Sequence, residues 1–350
     1  MKKVAFIIPQ IGKGGAERVA VHIANTLVER GHYVEIYTIL SGDVHYPINK
    51  SIRHFYLNVE EKNKLVRIYK RHSVLRKLLK ASPCETIISF DRNYGLFSSL
   101  GLNKKIIASE RNDPYSNDKS LFEKIYRDWI YNKSDVIVFQ TEYAQGYFSK
   151  SIKDKSVIIP NPISTDILPE PYIGVREKNI CAIGRLVEQK NFNLLIDSFN
   201  DFHKVYGDYT LSIFGEGPLL DELTKKVISY GLEDYVLFKG YCTDVLNELN
   251  KSSMFVSSSD YEGISNAMLE ALAIGVPTIC TDCPAGGAKM SITDHVNGLL
   301  VPVGEKESLT KAMIEIVENN EQTQSFSSES IKIRDRFNAD IIVDLWEGLL

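Results

Sequence analysis

The chain has 350 residues, enough for about two domains that each bury their own core. One quarter of the residues are charged and the net charge is −4, so the composition excludes a chain-wide polycationic surface and predicts no nucleic-acid partner. The five cysteines are an odd number, as is usual in a reducing compartment, so we expect a cytoplasmic protein. No apolar run reaches the ~18 residues of a membrane span, so we expect the protein to be soluble.

Short apolar, β-branched segments alternate with helical segments through the first half of the chain. Such strands are typical of a parallel sheet that helices cover on both faces. The alternation starts again after residue 170, which predicts two similar doubly wound α/β domains. The strands predicted in the first domain are 4–8, 34–38, 54–57, 86–90, 105–109, 136–139 and 156–159.

A glycine-rich turn follows the first predicted strand and leads into a helix predicted over 16–30. Gly12, Gly14 and Gly15 allow a ligand to approach the backbone, and the helix N-terminus behind them can receive an anion. Dinucleotide-binding enzymes have a similar turn. The spacing here is Gly-x-Gly-Gly, and the next strand lacks the acidic residue that binds ribose in those enzymes.

A basic amphipathic helix is predicted over 62–80, a segment with eight lysines and arginines and no acidic residue. Leu65, Ile68, Leu75 and Leu79 form one stripe at helical spacing. Two interpretations remain open: a surface helix whose stripe packs on the core, or a helix that contacts an anionic membrane and brings a lipid-linked acceptor to the protein.

A polar loop follows the strand predicted over 105–109, at the edge of a parallel sheet where ligands bind. Glu110, Arg111 and Asn112 are therefore candidate acceptor-side residues, although a turn capped by Asp113 explains them equally well. The proline-containing segment 160–177 shows little periodicity and predicts the domain boundary.

The second domain opens with a strand predicted over 180–183 and a loop that carries Gly184, Arg185 and Lys190. Two cations at the carboxyl end of a strand, beside a helix N-terminus, can clamp a diphosphate without a metal. Further turns at predicted strand ends carry Gly215 and the pair Gly240-Tyr241.

The segment 254–283 predicts a strand, a polar loop, a helix over 265–274 and a second strand. Seven residues separate Glu262, in the loop, from Glu270, in the apolar middle of the helix. The helix N-terminus favours a negative charge such as that of Glu262. The carboxylate of Glu270, inside the helix, needs a partner because burying an unpaired charge is costly. The alternative is a partly exposed helix whose acidic residues are incidental.

This segment resembles the Glu-x7-Glu signature of the retaining family 4 glycosyltransferases, as do Glu-Ala-Leu-Ala at 270–273 and Gly-Val-Pro at 275–277. Gly-Gly-Ala-Glu-Arg at 14–18 and Gly-Arg-Leu-x-x-x-Lys at 184–190 also resemble motifs of that family. The resemblance implies the GT-B fold, in which two Rossmann-like domains face a central cleft. It implies an acceptor-binding domain over 1–165, a nucleotide-sugar domain over 166–322, and a segment over 323–350 that returns to the first domain.

The resemblance also implies roles for individual residues. Arg185, Lys190 and Glu262 would be catalytic, since the two cations stabilise the departing diphosphate and Glu262 contacts the donor sugar. Glu270 would bind the ribose hydroxyls. The family places a histidine on the acceptor side that this chain lacks. The nucleotide-sugar site would comprise Gly14, Gly15, Gly184, Arg185, Lys190, Gly215, Gly240, Tyr241, Glu262, Gly263, Ile264, Ser265, Asn266 and Glu270.

The resemblance predicts a retaining hexosyltransferase that uses a UDP-sugar, needs no metal or other cofactor, and builds a bacterial surface glycan such as an O-antigen or capsule on a lipid carrier. It would be cytoplasmic or peripheral on the inner face of the plasma membrane. Two alternatives remain: a sugar-nucleotide-binding scaffold subunit without activity, and a sugar-nucleotide epimerase of the same fold. The sequence shows no set of carboxylates and histidines for the epimerase, and the missing acceptor-side histidine keeps the scaffold possible.

Overall fold

The computed structural model describes residues 1–12, 14–40, 42, 44–117 and 120–350. The chain forms two compact units. The first contains residues 1–162 together with 340–350, and the second contains residues 163–339.

The first unit is built on a seven-stranded, all-parallel sheet in the order β3-β2-β1-β4-β5-β6-β7. The strands are nearly fully buried in the middle of the sheet because helices cover both faces. They are β1 (Lys3–Ile8), β2 (Tyr33–Thr38), β3 (Arg53–Tyr56), β4 (Thr86–Ser89), β5 (Lys105–Ser109), β6 (Val136–Phe139) and β7 (Ser156–Ile158). The helices are α1 (Gly15–Glu29), α2 (Lys64–Ala81), α3 (Phe97–Ser99, after a π-helical turn Arg92–Leu96), α4 (Pro114–Asn117), α5 (Leu121–Lys133), α6 (Glu142–Gly146) and α7 (Lys150–Lys153).

The second unit contains a six-stranded, all-parallel sheet in the order β10-β9-β8-β11-β12-β13. Its strands are β8 (Glu177–Ile183), β9 (Thr210–Phe214), β10 (Val236–Gly240), β11 (Ser252–Ser257), β12 (Thr278–Thr281) and β13 (Leu299–Val301). Its helices are α8 (Phe192–His203), α9 (Leu220–Tyr230), α10 (Val245–Lys251), α11 (Asn266–Ala273), α12 (Gly287–Ser291), α13 (Lys306–Glu318), α14 (Asn320–Ser330) and α15 (Ile333–Arg336), with 3-10 turns at Thr165–Ile167 and Glu188–Lys190. The last helix, α16 (Ala339–Glu347), follows.

Each sheet has a point where the direction of the strand order reverses. In the first sheet this point lies between β1 and β4, and in the second it lies between β8 and β11. Loops that leave neighbouring strands in opposite directions open a crevice there, at the carboxyl ends of the strands. The glycine-rich turn follows β1, and the loops that carry Lys190 and Glu262 follow β8 and β11.

The predicted returning segment 323–350 is divided between the two units. Helices α14 and α15 belong to the second unit, where Phe326 and Ile333 are buried in its cores. Only residues 340–350 belong to the first unit, where Trp346 is fully buried in the core of the sheet. Arg30 at the end of α1 also holds α16, through Asp344 at 2.6 Å and Glu347 at 2.7 Å.

Helix α2 begins and ends close to its predicted bounds, but its predicted apolar stripe is only partly right. Leu75 and Leu79 are buried, whereas Leu65 at the start of the helix is exposed. The N-terminal half of the helix therefore lies outside the core. Among the described residues, no helix combines the length and the apolar character needed to cross a bilayer.

Candidate functional site

The loops that follow β8 and β11 are joined by hydrogen bonds at the point where the strand order of the second sheet reverses. Gln189 donates from its side chain to the carbonyl of Tyr261 (2.8 Å), and its own carbonyl accepts from the amide of Asp260 (2.9 Å). Asn191, which caps α8, donates to the Asp260 carboxylate at 2.7 Å. These contacts hold the two loops in one fixed arrangement.

The arrangement brings Lys190 and Glu262 together, although 72 residues separate them in the sequence. The Lys190 ammonium donates to one oxygen of Glu262, and the hydroxyl of Ser259 donates to the other at 3.0 Å. The two charged side chains are only 14% and 18% exposed. A charge with so little exposure needs an opposite charge or a ligand, and here each side chain provides the opposite charge for the other.

Arg185 stands in the same loop and differs from Lys190 in its surroundings. Its side chain is exposed, and no hydrogen bond or ion pair joins it to another residue of the described ranges. A guanidinium offers five donors in a planar fork that matches a phosphate. The loop therefore presents one free cation and one paired cation to a ligand.

Glycines allow the backbones of neighbouring loops to lie close together at this edge of the sheet. Gly215, which follows β9, has φ +143°, and a Cβ there would lie 2.0 Å from the carbonyl oxygen of Gly184. A Cβ on Gly287, at the start of α12, would lie 1.9 Å from the carbonyl oxygen of Gly263. Any side chain at either position would push the loops apart. The backbones of these neighbouring loops are thus in direct contact.

Helix α11 begins beside Glu262 and carries Glu270. Ser265 caps the helix by accepting from the amide of Met268 at 3.4 Å. Glu270 is 8% exposed, whereas Ile264 and the apolar side chains that flank Glu270 in α11 are buried. Asn266 opens the helix and is half-buried. The predicted residues 262–270 therefore form one continuous loop and helix at the crevice.

Cys280, in β12, and Cys283, just after it, lie near the Lys190–Glu262 pair. Burial and the negative charge of Glu262 raise the pKa of Cys283 to about 12, so its thiol stays protonated. The pKa of Cys280 is also raised, first by burial. Within the described ranges, no group of three or more His, Cys, Asp or Glu side chains could hold a metal ion.

The turn that follows β10 lies next to the turn after β9. Gly215 donates its amide to the carbonyl of Gly240 at 2.8 Å, and Gly240 has φ +64°. Tyr241 is about half exposed. Backbone groups and one aromatic ring are therefore available at this end of the crevice.

In the first unit, Gly14 is the N-cap of α1 and Gly15 is its first residue. The cap makes no side-chain hydrogen bond, and a Cβ on Gly14 would lie 2.0 Å from a carboxylate oxygen of Glu17. The N-terminus of α1 therefore lies at the carboxyl edge of the first sheet, where the helix dipole favours an anion.

The three predicted acceptor-side residues have different surroundings. Glu110 is buried and accepts from the hydroxyl of Tyr131 at 2.7 Å and from the amide of Asn112 at 3.1 Å. Arg111 stacks over Trp346, with its guanidinium carbon 5.4 Å from the ring centroid, and burial lowers its pKa to about 9. Only Asn112 is exposed. Glu110 and Arg111 thus have structural partners inside the unit, and Asn112 is the accessible member.

Sequence reasoning missed several residues that build these sites. Ser259 and Asp260 stand in the predicted polar loop, and Asn191 stands where a helix cap is expected, but no local pattern shows what they bond. Asn161, which accepts from Arg111 at 3.0 Å, lies in the segment that was predicted only as a boundary. These contacts depend on tertiary structure.

Two family models match the chain. The model described as "Glycosyltransferase Family 4" matches residues 13–167, and the model described as "Glycosyl transferases group 1" matches residues 166–333. An uncharacterized glycosyltransferase of Haemophilus influenzae is 28% identical over the whole of both chains. The Campylobacter jejuni N-acetylgalactosamine-N,N'-diacetylbacillosaminyl-diphospho-undecaprenol 4-alpha-N-acetylgalactosaminyltransferase is also 28% identical, over 94% of each chain.

Solved structures show the same fold. Anabaena HepE, crystallised with UDP and glucose, matches with a TM-score of 0.85 at 16% identity over 99% of each chain. TarM of S. aureus, crystallised with UDP and α-GlcNAc-glycerol, matches with a TM-score of 0.83 at 16% identity, over all of this chain and 99% of its own. The predicted pair of Rossmann-like α/β domains is confirmed by these likenesses.

Proposed function

The chain belongs to the glycosyltransferases of the GT-B fold, and from that premise we propose that it is a retaining, metal-independent transferase of UDP-sugars. The transferred sugar is a hexose or an N-acetylhexosamine. The acceptor is a lipid-linked glycan that becomes a bacterial surface polysaccharide. The observation that carries the proposal is the position of the Lys190–Glu262 pair, with Arg185 free beside it, where the strand order of the second sheet reverses.

The reaction replaces the bond between the anomeric carbon and a diphosphate oxygen with a bond to an acceptor oxygen. UDP leaves, and the proton of the acceptor hydroxyl passes to the departing phosphate oxygen on the same face of the sugar. Negative charge grows on the diphosphate in the transition state, so fixed cations at that place lower the barrier. Arg185 and Lys190 supply these cations.

Glu262 has two tasks in this proposal. It contacts the hydroxyl groups of the donor sugar, and it holds Lys190 in position before the donor arrives. Ser259 fixes the orientation of its carboxylate at 3.0 Å. Glu270 binds the ribose hydroxyls from α11, where the rigid helix sets the distance between the ribose and the reacting carbon. Neither glutamate is assigned as a nucleophile.

Related proteins support a UDP-linked donor and a lipid-linked acceptor. HepE was crystallised with UDP-glucose, and two of the Campylobacter jejuni relatives carry names that describe undecaprenol-linked glycans. The first unit also contains a cavity of about 490 Å³ whose lining includes the cations Lys62, Arg67 and Arg71 and the carboxylates Glu60 and Glu61. We place the reaction in the cytoplasm at the inner face of the plasma membrane, since all five cysteines are free, as in a reducing compartment.

The proposal is tested by calorimetric titration of UDP, GDP and ADP in EDTA, followed by UDP titration of Glu270→Ala and Glu270→Gln. We expect selective binding of UDP without metal and a loss of affinity of roughly tenfold or more in both variants. Glu307→Ala, an exposed glutamate in the first turn of α13, is the matched control and should bind UDP normally.

Transfer is then measured with UDP-sugars and undecaprenyl-diphosphate-linked acceptors, and the anomeric configuration of the product is read by NMR. An α-linked product from an α-linked donor supports retention. Normal UDP binding without transfer to any acceptor would favour the inactive scaffold subunit. Absence of nucleotide binding would contradict the donor site itself.

A further inference from the structure

Helix α5 is apolar on two opposite faces. One face is buried in the first unit through Ile130 and Tyr131. The other face carries Leu121, Phe122, Ile125 and Trp129, whose exposed fractions are 73%, 77%, 59% and 44%. At roughly 100° per residue these four side chains fall within an arc of about 100°, away from the buried residues. We call them the outer face of α5.

The outer face continues onto neighbouring helices through aromatic contacts. The ring of Phe97, in α3, lies 6.4 Å from that of Trp129 and 4.8 Å from that of His72 in α2. Phe97 is exposed, as are Tyr69 and Leu65 nearer the start of α2. Exposed apolar side chains therefore extend across three helices. A contiguous patch of this kind marks an interaction surface, because a monomer in water gains nothing by displaying it.

The charges beside the patch indicate what covers it. Helix α2 has seven lysines and arginines and no acidic residue, in a chain whose net charge is −4. Helix α5 carries Lys124, Arg127 and Lys133 together with Glu123 and Asp128, so most of the excess positive charge beside the patch comes from α2. Cationic side chains beside apolar and aromatic ones match an anionic bilayer, where phosphates meet the cations and tryptophan and tyrosine prefer the interface.

A second copy of the chain could also cover this patch, but the positive charge of α2 disfavours such a dimer. In a twofold dimer through this surface, the same patch would be present on both subunits. The seven positive charges of α2 would then be brought toward those of the partner without acidic residues of the same helix to offset them. An anionic membrane avoids this repulsion.

We propose that the outer face of α5, with Phe97 and the start of α2, docks on an anionic lipid bilayer. The side chains of Leu121 and Phe122 enter the interfacial layer, and the basic residues of α2 contact the lipid headgroups. The inference deepens the proposed function, because a lipid-linked acceptor is presented at such a surface. It assigns the insertion to α5, whereas the sequence predicts only an electrostatic contact through 62–80.

The intrinsic tryptophan fluorescence of the chain can report insertion into a membrane. It has two tryptophans: Trp129 lies on the outer face, and Trp346 is fully buried. The full-length protein is titrated with vesicles of phosphatidylglycerol and phosphatidylcholine, some of which carry brominated acyl chains. We expect a blue shift of the emission and quenching by the bromines, because Trp129 enters the interface while Trp346 is shielded. Vesicles of phosphatidylcholine alone should bind much more weakly.

The double variant Leu121→Ser/Phe122→Ser should bind anionic vesicles at least roughly tenfold more weakly, since burial of each side chain contributes more than the ~1.4 kcal/mol that a tenfold change represents. Ile173→Ser/Val175→Ser is the matched control. It removes two almost fully exposed apolar side chains from the second unit and should leave vesicle binding unchanged.

Unchanged vesicle binding in the Leu121/Phe122 variant would overturn the proposal, as would vesicle binding without quenching of Trp129. A dimer that the same variant dissociates, measured by sedimentation without lipid, would instead assign the surface to a second copy. UDP calorimetry on the variant separates this proposal from the proposed function. Normal UDP binding with lost vesicle binding supports both, whereas absent UDP binding in the unmutated protein contradicts only the transferase.

Discussion

At the scale of single residues, the Lys190–Glu262 pair shows how one contact prepares two functional groups. The carboxylate and the ammonium are each mostly buried, and each orients the other. In the proposed reaction the donor diphosphate brings its own negative charge. Lys190 would then gain a second anionic partner without having to be reoriented, which is the kind of preorganisation that stabilises a transition state.

Replacement of Lys190 by alanine should lower turnover by at least roughly a hundredfold, the usual cost of removing one charge-stabilising donor. Lys289→Ala, which removes an exposed lysine paired with Asp282 at 3.2 Å in the same unit, should retain nearly full activity. Both rates are measured at saturating donor on protein shown to be folded by circular dichroism. Near-normal turnover in Lys190→Ala would contradict its assignment to the diphosphate.

Part of this site was predictable from sequence and part was not. The motifs at 184–190 and 262–270 place charged residues at strand ends and helix starts, and the structure has them there. The direct bond between Lys190 and Glu262 was not predicted, because local spacing carries no information on contacts between distant loops. Arg111 illustrates the same limit: the sequence shows a charged loop residue, but not that Trp346 from the last helix covers it.

At the scale of secondary-structure elements, Glu35 connects β2 to the turn between α2 and β4. This carboxylate is buried and accepts from the hydroxyls of Tyr33 (2.7 Å), Tyr37 (2.6 Å) and Ser82 (2.6 Å). Burial raises its pKa, but the hydrogen bonds, first that from Ser82, outweigh burial, and the net pKa is lower than that of an ordinary glutamate. The charged form is therefore the form that the fold stabilises.

Because the folded-state pKa of Glu35 is depressed, its contribution to stability is complete above the unfolded-state pKa of about 4.3 and is lost as the pH falls through the folded-state pKa. Glu35→Gln should lower the free energy of unfolding by about 1–3 kcal/mol at pH 7. The difference from the unmutated protein should shrink below pH 4. Urea denaturation of both proteins at pH 7 and pH 3.5 measures this, and an equal difference at the two pH values would contradict the role of the charge.

The helices of the first unit show what amphipathic patterns can and cannot predict. The existence and approximate bounds of α2 followed from its periodicity, but the pattern did not distinguish which apolar residues the core covers. Leu75 and Leu79 are covered and Leu65 is not. Helix α5 was not among the elements predicted from the sequence, and its pattern alone does not show that one of its two apolar faces stays exposed.

At the scale of the whole molecule, the chain folds around two parallel sheets whose cores are separate. Among the described residues, three buried clusters belong to the first unit, one of them with Trp346, and two belong to the second, one with Phe326 and one with Phe337. The restart of the strand–helix alternation after residue 170 allowed this duplication to be predicted. The exact returning segment was not, because Phe326 and Trp346 both lie in amphipathic helices, and only their tertiary contacts assign them to different units.

Separate cores predict separate responses to a ligand and to a mutation. UDP at about a hundred times its Kd should stabilise the second unit by about 2.7 kcal/mol, which raises the unfolding temperature of a unit of this size by roughly 5–10 °C. Trp346→Ala should destabilise the first unit by about 3–5 kcal/mol, as expected for a large aromatic side chain removed from a packed core. Differential scanning calorimetry should therefore show two transitions, of which UDP moves one and the mutation moves the other. A single transition that responds to both would mean that the units unfold cooperatively, and the two cores would then have to be treated as one thermodynamic body.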